Sequence, residues 1–124
     1  MNGIAMLKFK FLLWVLTKLL RKAIRESSEC AKHVRGKSIT FQIRTAAGSG
    51  RYFIISDGKV NSFAGLAMNP EFTMNFKDAV TGFAILSAKD GKEAFLNALH
   101  RDDLKISGDF VGVLWFQRFA EFVN

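Results

Sequence analysis

The stretch Gly91-Lys-Glu-Ala-Phe-Leu-Asn-Ala-Leu-His100 followed by Arg101-Asp-Asp-Leu-Lys-Ile-Ser-Gly-Asp-Phe110 decides the reading of this chain. Its first half spaces Phe95 and Leu99 four residues apart on one face of a short amphipathic helix, with Lys92 and His100 turned outward. Its second half alternates, so Leu104 and Ile106 point inward from a strand and Lys105 points out. Ser107-Gly-Asp109 then ends the strand and supplies Asp109 as the N-cap of another helix. A strand between two helices, with an apolar and chemically inert inner face, is the first element of an α+β fold.

Working backward, Lys77-Asp78 opens a helix running to about Ala88, with Phe83 and Leu86 inward, and Asp90-Gly91 ends it. Glu71 to Phe76 alternates as a strand with Phe72, Met74 and Phe76 on one face. Ser38 to Ala46 and Arg51 to Ser56 also alternate, and Asp57-Gly58 is a two-residue hairpin turn leading into Lys59 to Ala64. Residues 38–64 therefore read as an antiparallel meander, and Gly65 to Pro70 as a connection. Forward of the opening stretch, Phe110 to Phe122 forms a final helix. Phe110, Val113, Leu114, Phe116 (or Gln117), Ala120 and Val123 recur there at helical intervals, and Trp115, Phe119 and Phe122 fall on a neighbouring face. The sum is five strands and several helices in residues 38–124, preceded by a separate segment, residues 1–37.

That segment reads as one long helix from Met1 to Gly36, with a break near Ser27-Ser28. One stripe holds Phe9, Leu12, Leu13, Leu16, Leu20, Ala23, Ile24, Ala31 and Val34. Ile4, Leu7, Phe11 and Trp14 form a second stripe, on the side that becomes basic at Lys18, Arg21, Lys22 and Arg25. A helix apolar on two faces buries both or offers one to a partner. A transmembrane span needs about 20 nearly uncharged residues, and Lys8, Lys10 and Lys18 leave only Phe11 to Thr17 clear. No small-x-small cleavage site follows the apolar run, so the segment is expected to be retained. Burial against the body, pairing with a second copy, and docking on an anionic membrane surface remain as readings of the second stripe.

The charge distribution separates the two parts. Residues 1–38 hold nine Lys and Arg against two Glu, a net +7, whereas residues 39–124 hold nine basic and nine acidic side chains. A neutral body with one basic end lacks the distributed positive surface that grips nucleic acid. Cys30 is the sole cysteine, so no internal disulfide forms and a reducing, cytoplasmic setting is expected, with membrane contact peripheral at most. One Cys with His33 and His100 gives no metal-ligand spacing, and both histidines read as solvated surface residues. Asp102 and Asp103 are neighbours that point to opposite faces of a strand, and Gly48-Ser-Gly50 is too short for a phosphate cradle. No catalytic set and no cofactor motif emerges. Thirteen Phe among 124 residues supply large apolar surface without a polar handle, which suits a thick core or an apolar cavity.

The order helix, three-stranded meander, strand, two helices, strand, final helix resembles the sterol carrier protein 2 family. Phe72-Thr-Met-Asn-Phe76, Ala94-Phe-Leu-Asn-Ala98 and Leu104-Lys-Ile-Ser-Gly-Asp109 carry the resemblance over residues 38–123, and Asp57-Gly58-Lys59 fits it. His100-Arg-Asp-Asp103 stands where that family has a glycine-containing turn. The resemblance implies a five-stranded, mainly antiparallel sheet covered by helices, with an apolar tunnel between the layers and non-enzymatic binding of a fatty acyl, isoprenoid or sterol-like lipid. The expected lining is Phe41, Phe72, Phe83, Phe95, Leu99, Phe110, Val113, Leu114 and Phe116. The competing reading is an interaction module that dimerises through the Ile4-Leu7-Phe11-Trp14 stripe, with these side chains filling a solid core.

Overall fold

The structure is a computed structural model and describes residues 3–123. Met1 and Asn2, at the start of the expected first helix, and Asn124 lie outside the described residues. The elements follow in the order α1 (Gly3–Glu26), α2 (Ser28–Val34), β1 (Ile39–Thr45), β2 (Gly50–Ser56), β3 (Lys59–Ala64) and β4 (Phe72–Phe76). Then come α3 (Ala79–Leu86), α4 (Gly91–His100), β5 (Leu104–Gly108) and α5 (Phe110–Glu121). The break expected near Ser27 is a capping event: the Ser27 side chain accepts the Cys30 N–H and starts α2.

The five strands form one sheet in the order β3-β2-β1-β4-β5. Three pairs are antiparallel and β1 runs parallel to β4, with Phe41 opposite Phe72 and Thr45 opposite Phe76. Asp57 and Gly58 both take positive φ, 54° and 74°, the twist of a two-residue hairpin turn joining β2 to β3. Because β3 is an edge strand and β4 lies beyond β1, the connection between them must cross β2 and β1. Gln42 holds it there: its Oε1 accepts the Ala67 N–H at 2.8 Å and its Nε2 donates to Thr73 Oγ1 at 2.9 Å. Those two bonds explain why a glutamine pointing away from Phe41 and Ile43 is nonetheless buried.

The Gly-Asp pair ending β5 has a specific job. Gly108 has φ 94°, and a Cβ there would collide with the carbonyl oxygen of Glu71. This close approach lets the Asp109 N–H donate to Glu71 O at 2.7 Å, while its carboxylate caps α5 through the Val111 N–H at 3.0 Å. Asp78 and Asp90 cap α3 and α4 in the same way. The Asp78 carboxyl is held below the usual range chiefly by the Thr81 backbone N–H. Before β5, Asp102 takes φ 62°, so an aspartate supplies the left-handed conformation for which glycine is the usual choice.

The core lies between the helices and one sheet face. From α1 come Phe9, Leu13 and Leu20, all fully buried, and Phe9 meets Phe76 edge to face at 6.2 Å. Thr17 bonds Ser62 at 2.7 Å and Arg21 Nε donates to Val60 O at 2.8 Å, which ties α1 to the edge strand. His33 departs from its expected solvated place. It is half-buried, stacks on Trp115 at 5.1 Å, and joins α2 to α5 through reciprocal side-chain-to-carbonyl bonds. Cys30 is buried and free, and burial pushes its thiol pKa up.

Candidate functional site

Beneath α3 and α4, between the sheet and α5, lies a cavity of about 650 Å³. That volume is within the range of small-molecule sites, which run from about 300 to 1,000 Å³. Its walls are aliphatic or small at most positions. Leu16 comes from α1, Met74 from β4, Leu86 from α3, and Ala120 and Val123 from the end of the chain. Phe95, Val113 and Phe116 add to the apolar lining, with Ile85 and Ala88. Its rim is polar and lies where the turn between α3 and α4 meets the C-terminal half of α5: Lys89, Asp90, Lys92, Gln117 and Glu121. A shallower recess of about 330 Å³ lies between α3 and α4 and shares Ile85, Ala88 and Asp90 with the larger one.

The side chains expected from sequence to line a tunnel separate into four groups. Phe95, Val113 and Phe116 line the cavity. Phe41 and Phe72 are fully buried but lie in the packed part of the core. They stack on each other at 4.8 Å, and Phe41 also meets Phe53 at 5.1 Å and Phe116 at 4.7 Å. Phe83 and Leu99 are half-buried and outside the lining. Phe110 and Leu114 face solvent, 47% and 51% exposed. These two share one row of α5 at i, i+4, and the row that turns inward is Val113, Phe116 and Ala120. Leu16, Met74, Leu86, Ala120 and Val123 were not singled out as lining, although each falls on an inward stripe of the sequence.

The second stripe of α1 is exposed: Ile4 at 70%, Leu7 at 68%, Phe11 at 63% and Trp14 at 44%. Phe11 and Trp14 lie 5.9 Å apart, and the Lys18 ammonium sits 5.2 Å from the Trp14 ring. Lys18, Lys22 and Arg25 are exposed, but Arg21 is half-buried and engaged with Val60 and Asn61. No helix among the described residues is long and apolar enough to cross a membrane.

Four acidic groups have structural tasks. Asp103 pairs with Lys77 at 3.1 Å, Asp90 and Asp109 cap helices, and Glu121 pairs with Arg118 at 3.0 Å. Among the described residues no group of three or more His, Cys, Asp or Glu could hold a metal ion. The arrangement is an apolar recess bordered by charged side chains.

No family model and no curated protein matches the sequence. Solved structures do match it. A UbiJ-SCP2 ubiquinone synthesis protein aligns over 92% of this chain and 92% of its own, with TM-score 0.63 and 14% identity. A sterol carrier protein 2 aligns over 88% and 93%, with TM-score 0.60 and 14% identity. The sterol carrier protein domain 2 of Helicoverpa armigera aligns over 86% and 84%, with TM-score 0.53 and 16% identity. With a five-stranded mixed sheet, five helices and these alignments, the chain has the sterol carrier protein 2 fold.

Proposed function

We propose that this protein binds one hydrophobic molecule non-covalently in the cavity between sheet and helices and serves as a lipid carrier rather than an enzyme. The observation that carries the reading is the cavity of about 650 Å³ with walls of Leu16, Met74, Leu86, Val113, Phe116 and Ala120. Such walls gain roughly 25 cal/mol for each Å² of apolar ligand surface taken from water, without specific polar contacts. The likeness to a ubiquinone synthesis protein and to sterol carrier protein 2 supports a fatty acyl, isoprenoid or sterol-like ligand. Titration of a fluorescent fatty acid tests it. Wild type and Leu114→Trp are expected to bind alike, because Leu114 is on the outside. Ala120→Trp, which places an indole in the cavity, is expected to lose at least about tenfold in affinity, roughly 1.4 kcal/mol. Equal binding by wild type and Ala120→Trp, or by neither, would sink the reading.

The exposed stripe of α1 supports a second element of function. Ile4, Leu7, Phe11 and Trp14 bordered by Lys18, Lys22 and Arg25 have the composition of a helix that lies on an anionic membrane, where each basic residue contributes about 1 kcal/mol. The carrier would then load and unload at the membrane surface. The competing reading uses the same stripe to join two copies of the chain as a scaffold. Flotation with anionic liposomes is expected to capture the wild type, and Lys18→Gln/Lys22→Gln/Arg25→Gln to reduce capture. Arg21 is left intact because it holds β3. Light scattering on Phe11→Asp and Trp14→Asp completes the test, since only the dimer reading predicts a fall in mass.

A further inference from the structure

We infer that the rim of the cavity is a headgroup site for an acid, in which Lys89 and Lys92 hold the carboxylate or phosphate of an amphiphile whose tail lies inside. The inference rests on the cavity reading above and adds the polar chemistry of the ligand. Four charged side chains belong to the cavity lining: Lys89, Lys92, Asp90 and Glu121. The two acids are engaged elsewhere. Asp90 Oδ1 accepts the Glu93 N–H at 3.1 Å as the cap of α4, and Glu121 Oε1 accepts from Arg118 Nη1 at 3.0 Å. Neither Lys89 nor Lys92 has an ion-pair partner among the described residues, and both are exposed. Arg118 offsets Glu121, whereas the Asp90 carboxylate keeps its charge while capping α4, so the two lysines leave the rim with a net charge of +1 beside an apolar chamber.

That pairing fits an anionic amphiphile better than a neutral one. The tail gains from burial, whereas the headgroup stays at the wet edge and avoids the cost of taking a charge into the interior. Lysine suits this role because a flexible stem with three rotatable donors imposes no fixed geometry on the anion. The rim is open to solvent, so each contact is screened and contributes only about two- to fivefold in affinity. Both together predict a preference of about five- to twentyfold for an acid over the matching alcohol, weakening as ionic strength rises.

Three probes with the same dodecyl tail separate the possibilities: dodecanoic acid, dodecyl phosphate and dodecanol, each titrated at neutral pH against wild type and Lys89→Gln/Lys92→Gln. Wild type is expected to bind at least one of the two acids about fivefold or more tighter than the alcohol. Preference for the carboxylate alone or for both anions identifies which headgroup is read. In the double variant the preference for acid over alcohol should fall to about twofold or less. Equal binding of acids and alcohol by wild type, or an unchanged preference in the variant, would overturn the headgroup site and leave the cavity reading standing. Failure of wild type to bind all three would overturn both.

Discussion

Around Phe41 the space between sheet and helices is filled, and around Ala120 it is empty. In the filled part, Phe41, Phe53 and Phe72 stack at 4.8 to 5.1 Å across three neighbouring strands, and Phe116 closes over them. In the empty part, Leu16, Met74, Leu86, Ala120 and Val123 surround about 650 Å³. Phe116 belongs to both, with one contact on the aromatic stack and another on the cavity. The difference teaches that abundant phenylalanine does not itself mark a ligand site. Flat rings in register on adjacent strands pack against one another and exclude space, whereas branched and small side chains on helices leave it.

Three substitutions would break or sharpen this contrast. The largest effect is expected for Phe72→Ala, which removes a fully buried ring from the stack and should cost about 3–5 kcal/mol in chemical denaturation. A loss below about 1 kcal/mol would mean that the filled half is loosely packed. Next comes Gly82→Ala. Its added Cβ would stand 2.6 Å from Phe9 Cε1 and 3.2 Å from Phe76 Cγ, both in fully buried rings. Overpacking costs about 1–3 kcal/mol, offset by about 1 kcal/mol of helix preference, so a net loss of up to about 2 kcal/mol is expected. The smallest effect is expected for Ala120→Trp. Although far larger in volume than the Gly82 change, it should shift stability by only about 0.5 kcal/mol, because its indole enters space that is already empty. If Ala120→Trp destabilises more than Gly82→Ala, the cavity is not open to side chains.

Much of the fold is legible in the sequence because it is written locally. Asp57-Gly58, Asp78 and Asp109 act within a few residues of themselves, so the hairpin and the starts of α3 and α5 follow from turn and cap chemistry, while Asp90, read as part of the end of α3, also caps α4. The parallel pairing of β1 with β4 has no such local mark, since it depends on a connection that crosses two strands and is held by Gln42. The site is less legible for a different reason. α5 is apolar nearly all round, so its periodicity leaves Phe110 and Leu114 as eligible for the inside as Val113 and Ala120. Phe41 and Phe72 face inward as the alternation predicts, yet they stack and fill space. Leu16, Leu86 and Ala120 also lie on inward stripes, but no local pattern separates an inward side chain that bounds space from one that fills it. His33 escaped because its partner, Trp115, is far along the chain.

The tie between α1 and the edge strand also fixes an order of events during synthesis. Thr17 must wait 45 residues for Ser62, and Arg21 must wait 39 for Val60. Until those partners leave the ribosome, the first helix carries both apolar stripes uncovered, and folding later covers only the one through Phe9, Leu13 and Leu20. The stripe through Phe11 and Trp14 is therefore the apolar surface of α1 that folding leaves uncovered, present both before the cavity forms and after.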